Sequence, residues 1–173
     1  MQDRLKSLAL VFGIIARVAL YLSGICLVFM TAIVFAQVVF RYGLGSSLQW
    51  SEPAAIQLMG WFIFLGAAVG TREGYHLSFD VLLIFLPQAI VKVLHSVSDV
   101  AVAGFGCGMV WFGAELARRT WGSAMPALGI PDGTSFLPVA LGGVLVVLFS
   151  IERLLRRAAG MQTARFGDDP IEE

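Results

Sequence analysis

Four long apolar stretches, separated by short polar segments, dominate the pattern along the chain. A helix that crosses a bilayer requires about 20 consecutive, mostly apolar residues. The stretches that reach this length predict spans at about 18–40, 52–71, 90–114 and 134–155. We therefore predict an all-α integral membrane protein with four transmembrane helices. Residues 1–160 form a single transmembrane domain in this interpretation, and the polar residues 161–173 form a disordered C-terminal tail.

Two shorter apolar stretches fall below the length of a span. Apolar residues recur at helical spacing before Arg17, where a charge interrupts them, and this segment predicts an N-terminal interfacial helix along the membrane surface. Residues 81–86 are also apolar but stop at Pro87. They predict a short interfacial connector between spans two and three.

Composition supports a membrane protein and excludes several other classes. Only 14% of the 173 residues are charged, whereas soluble domains carry about 25%. The formal net charge of zero provides no basic face for nucleic acid. Cys26 and Cys107 both lie within apolar stretches and form no CxxC motif, so neither a thiol redox site nor a zinc finger is indicated.

The distribution of lysine and arginine predicts the orientation. If the N-terminus lies inside, only Arg41, Arg118 and Arg119 among these residues lie outside. The positive-inside rule favours this arrangement. We therefore expect both termini in the cytoplasm, with the loop that carries Arg118, Arg119 and Trp121 on the outer side.

The third span carries an intramembrane polar stripe, because Lys92, His95 and Asp99 fall on one helical face. An ionisable residue inside a span is by default a functional hypothesis. Asp99 could couple ions or protons, or it could pair with Lys92, with His95 or with a partner subunit. The second half of the span is rich in glycine, which permits close helix packing; these residues are Gly104, Gly106, Gly108 and Gly113.

No arrangement of side chains predicts catalysis, metal binding or a cofactor. His76 and Asp80 are spaced four apart, but the further ligands that a metal site needs are missing. His76 and His95 lie near the same connector, which disfavours haem ligation between facing spans. Spans one, two and four carry no formal charge in their interiors, so they offer little to bind a polar solute. This pattern favours a helper or scaffold subunit rather than a self-sufficient transporter.

Residues 38–81 resemble the small membrane subunit of tripartite ATP-independent periplasmic (TRAP) transporters. The resemblance extends from about residue 11 to residue 157 and includes Leu128–Pro131 before the last span. Pro53 and Asp132 depart from the family pattern. The matching positions in the first segment are Arg41, Trp50, Glu52, Trp61, Leu65–Ala68, Arg72, Gly74, His76 and Asp80.

The resemblance implies a role and a set of partners. The small subunit of this family scaffolds and anchors a large membrane subunit, which holds the substrate and sodium sites, in the bacterial inner membrane. A periplasmic binding protein delivers an organic acid, such as a C4-dicarboxylate or a sialic acid. No substrate site or cofactor is then expected in this chain. Contacts to the large subunit or to lipids are implied for Arg41, Trp50, Glu52, Trp61, Arg72, His76 and Asp80, and contacts to the binding protein for the loop with Arg118, Arg119 and Trp121.

Two other classes of function remain as alternatives. A membrane anchor for a redox enzyme predicts cofactor absorbance in the purified complex, although the positions of the histidines weigh against it. A small self-assembling exporter predicts transport by this chain alone. Such an exporter is expected to carry a charged residue in span one, which is absent.

Overall fold

The computed structural model describes residues 2–73 and 88–158, with side chains for residues 10–73 and 94–156. Each of the four α-helices contains a segment long and apolar enough to cross a membrane. The prediction of an all-α protein with four membrane-spanning helices is therefore confirmed. The predicted connector at 81–86 and the tail at 161–173 lie outside the described residues. In chain order the elements are α1 (Gln2–Gly43), α2 (Ser51–Glu73), α3 (Gln88–Thr120), a short 3₁₀ helix (Asp132–Phe136) and α4 (Leu137–Ala158).

The first helix is continuous through Arg17, so a separate N-terminal interfacial helix is not confirmed. Ala16 and Ala19 are buried on either side of this arginine, because the same face of α1 continues to pack against the bundle. The apolar part, Leu10–Gly43, has 34 residues and is about 51 Å long. This length exceeds the hydrocarbon layer of about 30 Å, so α1 either tilts or extends beyond it.

The helices pack in an open row in the order α1, α2, α4 and α3. Helices α1 and α3 therefore form its two edges. Large apolar side chains remain exposed at both, such as Tyr21 at 71% and Phe105 at 70%. In a bilayer these surfaces lie against acyl chains or partner proteins, which accounts for their apolar character.

Small side chains bring α1, α2 and α4 together in the core. Ala16, Ala68, Val146 and Phe149 form one buried cluster. Phe12 contacts the edge of this cluster, with its ring centroid 6.4 Å from that of Phe149 at an interplanar angle of 77°. The alanines let the helix backbones approach, and the phenylalanine fills the space between them.

Glycines set the close approach of α3 and α4. A Cβ atom added to Gly143 would lie 2.9 Å from the carbonyl oxygen of Gly106, and one added to Gly113 would lie 2.9 Å from the backbone nitrogen of Ala140. Only glycine fits such contacts without a shift of the backbone. By contrast, Gly104 and Gly108 face open space. The glycine-rich segment therefore has a packed face and an open face.

Candidate functional site

A short turn between α1 and α2 forms the first candidate site. Gly45 adopts φ = +66°, a conformation that glycine adopts without steric strain. The backbone amides of Leu44 and Ser46 both donate to the carbonyl of Phe40 at 3.2 Å. The buried hydroxyl of Ser51 donates to the carbonyl of Leu48 at 2.6 Å. These bonds fix the turn and place the last turn of α1 beside the first turn of α2.

The turn encloses a polar cleft of about 490 Å³, which we name the α1–α2 cleft. Arg41 in α1 and Glu52 in α2 provide its two charges, and both residues are exposed. Trp50, which is 44% exposed, precedes α2 directly. Among the described residues, neither the Arg41 nor the Glu52 side chain forms a hydrogen bond or an ion pair. The cleft therefore presents one charge of each sign outward. Its full lining is Gln37, Arg41, Gly45, Ser46, Ser47, Leu48, Gln49 and Glu52.

Trp61, in the middle of α2, lies elsewhere. It packs against a buried cluster of Ala19, Leu65 and Val69. It also lines an apolar cavity of about 480 Å³ between α1, α2 and α4. Its ring therefore contributes to packing within the chain.

A buried ion-pair network where α2 and α4 end forms the second site. Arg72, in the last turn of α2, donates through Nε to Oε2 of Glu152 in α4 at 3.2 Å. The two side chains are only 4% and 5% exposed. Arg156 approaches the other carboxylate oxygen of Glu152 at 2.8 Å. Arg72, which the resemblance implies as a partner or lipid contact, is thus engaged within the chain.

Asp99 takes part in the same network. Its Oδ1 atom lies 3.4 Å from Nε of Arg153, and both side chains are buried. The Nη1 atom of Arg153 also donates to the carbonyl of Thr71 at 2.6 Å. Arg153 therefore links α3, α4 and α2. This counter-ion is on α4 and was not among the partners that the sequence suggested for Asp99.

Sequence reasoning missed Glu152 and Arg153, because they fall within a group of charges that ends the fourth span. Their helical positions contain a signal that could have identified them. Val146, Phe149 and Arg153 are spaced three and four residues apart, and all three are buried. An arginine that continues the apolar stripe of a helix points into the protein, where it needs an acidic partner.

The other predicted residues are partly described. His95 is half-buried on α3, the side chain of Lys92 lies outside the described residues, and so do His76 and Asp80. Arg118 and Arg119 lie in the last turn of α3 rather than in a loop. Their side chains are 80% and 72% exposed, and both pair with Glu115. Trp121 follows directly and is 51% exposed.

The described residues contain no group of three or more His, Cys, Asp or Glu side chains that could hold a metal ion. The acidic residues at the second site instead face arginines. Chemically, the described residues offer an outward-facing charged cleft at the α1–α2 turn and a buried network of paired charges where α2 and α4 end.

Known proteins with similar sequences share one role. A TRAP transporter small permease protein of Haemophilus influenzae, by its name, is 29% identical over 75% of this chain and 80% of its own length. The C4-dicarboxylate TRAP transporter small permease protein DctQ of Pseudomonas aeruginosa is 28% identical over 69% of this chain and 60% of its own length. The protein of the same name from Vibrio cholerae is 26% identical over 62% of this chain and 48% of its own length.

A family model gives the assignment over most of the chain. The model describes the DctQ component of tripartite ATP-independent periplasmic transporters and matches residues 30–160. This range contains the α1–α2 cleft, the buried ion-pair network and three complete spans. Membership does not favour the alternative of a redox-enzyme anchor. The chain belongs to the DctQ family of small membrane subunits of TRAP transporters.

Proposed function

We propose that this chain scaffolds and anchors the large membrane subunit of a TRAP transporter in the bacterial inner membrane, with both termini in the cytoplasm. The complete transporter takes up an organic acid with sodium, and a periplasmic binding protein delivers the substrate. The names of the Vibrio and Pseudomonas relatives support a C4-dicarboxylate as one candidate. Sodium and substrate bind in the large subunit, and this chain performs no catalysis.

The observation that carries the proposal is the pair of exposed charges in the α1–α2 cleft. Arg41 and Glu52 are exposed, and neither finds a partner among the described residues. Both belong to the motif through which the chain resembles its family. Two opposite charges at the edge of an apolar surface give a docking partner both orientation and register.

The open row of helices supports a scaffolding role. Both faces of such a row, and its α1 edge, present broad apolar surface to the bilayer. Across the row, Arg72–Glu152 and Arg153–Asp99 fasten three of the helices together at one end. The result is a slab that can extend a partner within the membrane plane.

The same network supports a structural role for Asp99. Oδ1 of Asp99 lies 3.4 Å from Nε of the buried Arg153, so this carboxylate serves as an acidic partner for an arginine packed inside the protein. We therefore place ion coupling in the partner subunit.

Copurification with the large subunit tests the proposal. The tagged chain is coexpressed with that subunit as wild type, Arg41→Ala or Glu52→Ala. Arg118→Ala is the matched control, because it removes an exposed arginine from the opposite edge of the row. Truncating one member of a docked charge pair weakens an interface by about 2–5 kcal/mol, so both cleft variants should lose most of the partner. Full recovery in both would refute the proposed site.

A further inference from the structure

The outward surface of α3 carries a feature that scaffolding through the α1–α2 cleft does not use. Near its C-terminal end, α3 forms an open cleft of about 830 Å³ lined by Trp111, Phe112, Glu115, Leu116, Arg118 and Arg119. One end of this cleft is aromatic, and the other end is charged. We name it the α3 cleft.

An apolar groove continues from the α3 cleft toward the middle of the helix. Gly104 and Gly108 fall on the same helical stripe as Trp111 and Glu115, and space is open where their side chains would be. Phe105, which is 70% exposed, stands beside the glycines, and Trp111, which is 74% exposed, stands at the end of the stripe. A narrow chain of methylene groups fits such a groove, because the glycines leave room and Phe105 forms one side.

The charged end of the cleft favours an anion. Glu115 accepts from Nη2 of Arg118 at 3.1 Å and from Nε of Arg119 at 2.7 Å. One carboxylate thus holds two guanidinium groups side by side and neutralises only one of them. Both arginines line the cleft, and their side chains are 80% and 72% exposed, so nitrogens that Glu115 does not engage remain accessible. A phosphate group can accept hydrogen bonds from both.

The distance along the helix matches one leaflet of a bilayer. Gly104 and Arg118 are separated by about 21 Å at 1.5 Å per residue. Half of the hydrocarbon layer is about 15 Å, and the headgroup region lies beyond it. Trp121, just past the arginines and 51% exposed, is a residue type enriched at this boundary. The arginines therefore lie at headgroup depth when the glycines lie near the middle of the membrane.

We propose that the α3 surface binds an anionic phospholipid, with its phosphate on Arg118 and Arg119 and one acyl chain along Gly104 and Gly108. Charge complementarity at one end and an uncharged groove along the rest distinguish this occupant from a protein helix. The inference requires that the large subunit leaves this face of α3 uncovered, but it does not require that the subunit docks at the α1–α2 cleft. A lipid bound there would fill the groove at the free edge of the row.

Native mass spectrometry of the full chain in mild detergent provides the test. Phosphatidylglycerol, phosphatidylethanolamine and inorganic phosphate are each titrated against wild type and two double variants, Arg118→Gln/Arg119→Gln and Arg118→Lys/Arg119→Lys. Each basic residue near a headgroup strengthens association with anionic lipid several-fold. The glutamine variant should therefore bind phosphatidylglycerol about tenfold more weakly, and the lysine variant should retain most of the binding. Wild type should prefer phosphatidylglycerol to phosphatidylethanolamine and to phosphate.

Filling the groove tests the position of the acyl chain. Gly108→Leu should reduce phosphatidylglycerol binding without disturbing the fold, because no atom lies within 4 Å of the added Cβ. Gly24→Leu is the matched control, since Gly24 in α1 also faces open space but lies on the opposite edge of the row. Recovery of the large subunit is measured on the same variants.

Several results would overturn the proposal. Equal phosphatidylglycerol binding in the glutamine variant and wild type would remove the role of the arginines. Equal loss in Gly24→Leu and Gly108→Leu would show that the groove is not specific. Loss of the large subunit in Gly108→Leu would show that protein rather than lipid covers this face. Tight binding of free phosphate would reduce the site to an anion site without an acyl chain.

Discussion

Charged residues lie both at the α1–α2 turn and where α2 and α4 end, but their surroundings differ. Where α1 turns into α2, Arg41 and Glu52 are exposed and find no partner among the described residues. Where α2 and α4 end, Arg72 and Glu152 are buried and bonded to each other. The charges at the α1–α2 turn can recognise another molecule, because they remain available. The charges where α2 and α4 end hold the chain together, because they are already paired within it.

This difference matters because sequence position alone does not reveal it. Arg41 and Arg72 each occupy the last turn of an apolar helix. The positive charge of an arginine there interacts favourably with the negative end of the helix dipole. Glu152 distinguishes them, since it is 80 residues away from Arg72 in sequence and reaches only one of the two arginines. A distant residue thus determines whether such an arginine is buried and bonded within the chain or remains exposed.

The largest effect is expected at Glu152. Glu152→Leu removes a carboxylate that Arg72 and Arg156 both contact, and it leaves buried positive charge with less compensation. Breaking a buried pair in this way costs about 3–5 kcal/mol. Titration with SDS in mixed micelles, followed by tryptophan fluorescence, measures the loss of stability.

Glu115→Leu is the control for this measurement. Glu115 also pairs with two arginines, but both arginine side chains are largely exposed to the surroundings. Water and headgroups can solvate them after the carboxylate is removed, so stability should match wild type. Similar losses in the two variants would remove the distinction between buried and exposed charges.

The second effect concerns Asp99 and Arg153, which should behave as a unit. Asp99→Leu and Arg153→Leu are each expected to lower stability by about 3 kcal/mol, because each leaves its partner buried and charged. The double variant should lie within about 1 kcal/mol of wild type, since it removes both charges together, and the carbonyl of Thr71 loses one donor at a smaller cost. The coupling free energy from this double-mutant cycle is the quantity to measure.

Additive losses would contradict the pairing. Additional information comes from reconstituting the whole transporter with Asp99→Asn. On the proposed function, the amount of assembled complex falls while its dependence on sodium is unchanged. A changed sodium dependence would instead assign Asp99 a role in coupling.

Much of the fold could be predicted from the sequence, because span length and hydropathy depend on local composition. The four helices follow from runs of apolar residues, although α1 begins at Gln2 and not near residue 18. The contacts of individual charges do not, because Asp99 and Arg153 lie far apart in sequence and meet only after α3 and α4 pack. Likewise, the pattern of glycines predicts close packing, but only the fold shows that Gly106 faces α4 while Gly108 faces outward.

A smaller effect is expected for the turn that shapes the α1–α2 cleft. Ser51→Ala removes the hydrogen bond from a fully buried hydroxyl to the carbonyl of Leu48. A neutral hydrogen bond of this kind contributes about 1 kcal/mol. Ser47→Ala, at an exposed position in the same cleft, is the control and should leave stability unchanged. A smaller loss for Ser51→Ala than for Ser47→Ala would show that the Ser51 hydroxyl does not hold the turn.

The smallest effect on stability is expected where the effect on assembly is largest. Arg41→Gln and Glu52→Gln remove charges that make no bond among the described residues, so the free energy of unfolding of the isolated chain should change by no more than about 0.5 kcal/mol. On the proposed function, the same variants recover less of the large subunit in copurification. Measuring the free energy of unfolding and the recovery of the large subunit on one set of preparations distinguishes the two sites. Glu152→Leu should lower stability first and assembly only as a consequence. Arg41→Gln should lower assembly alone. If Arg41→Gln destabilised the isolated chain as much as Glu152→Leu, the cleft arginine would belong to the fold, and the large subunit would need another point of attachment.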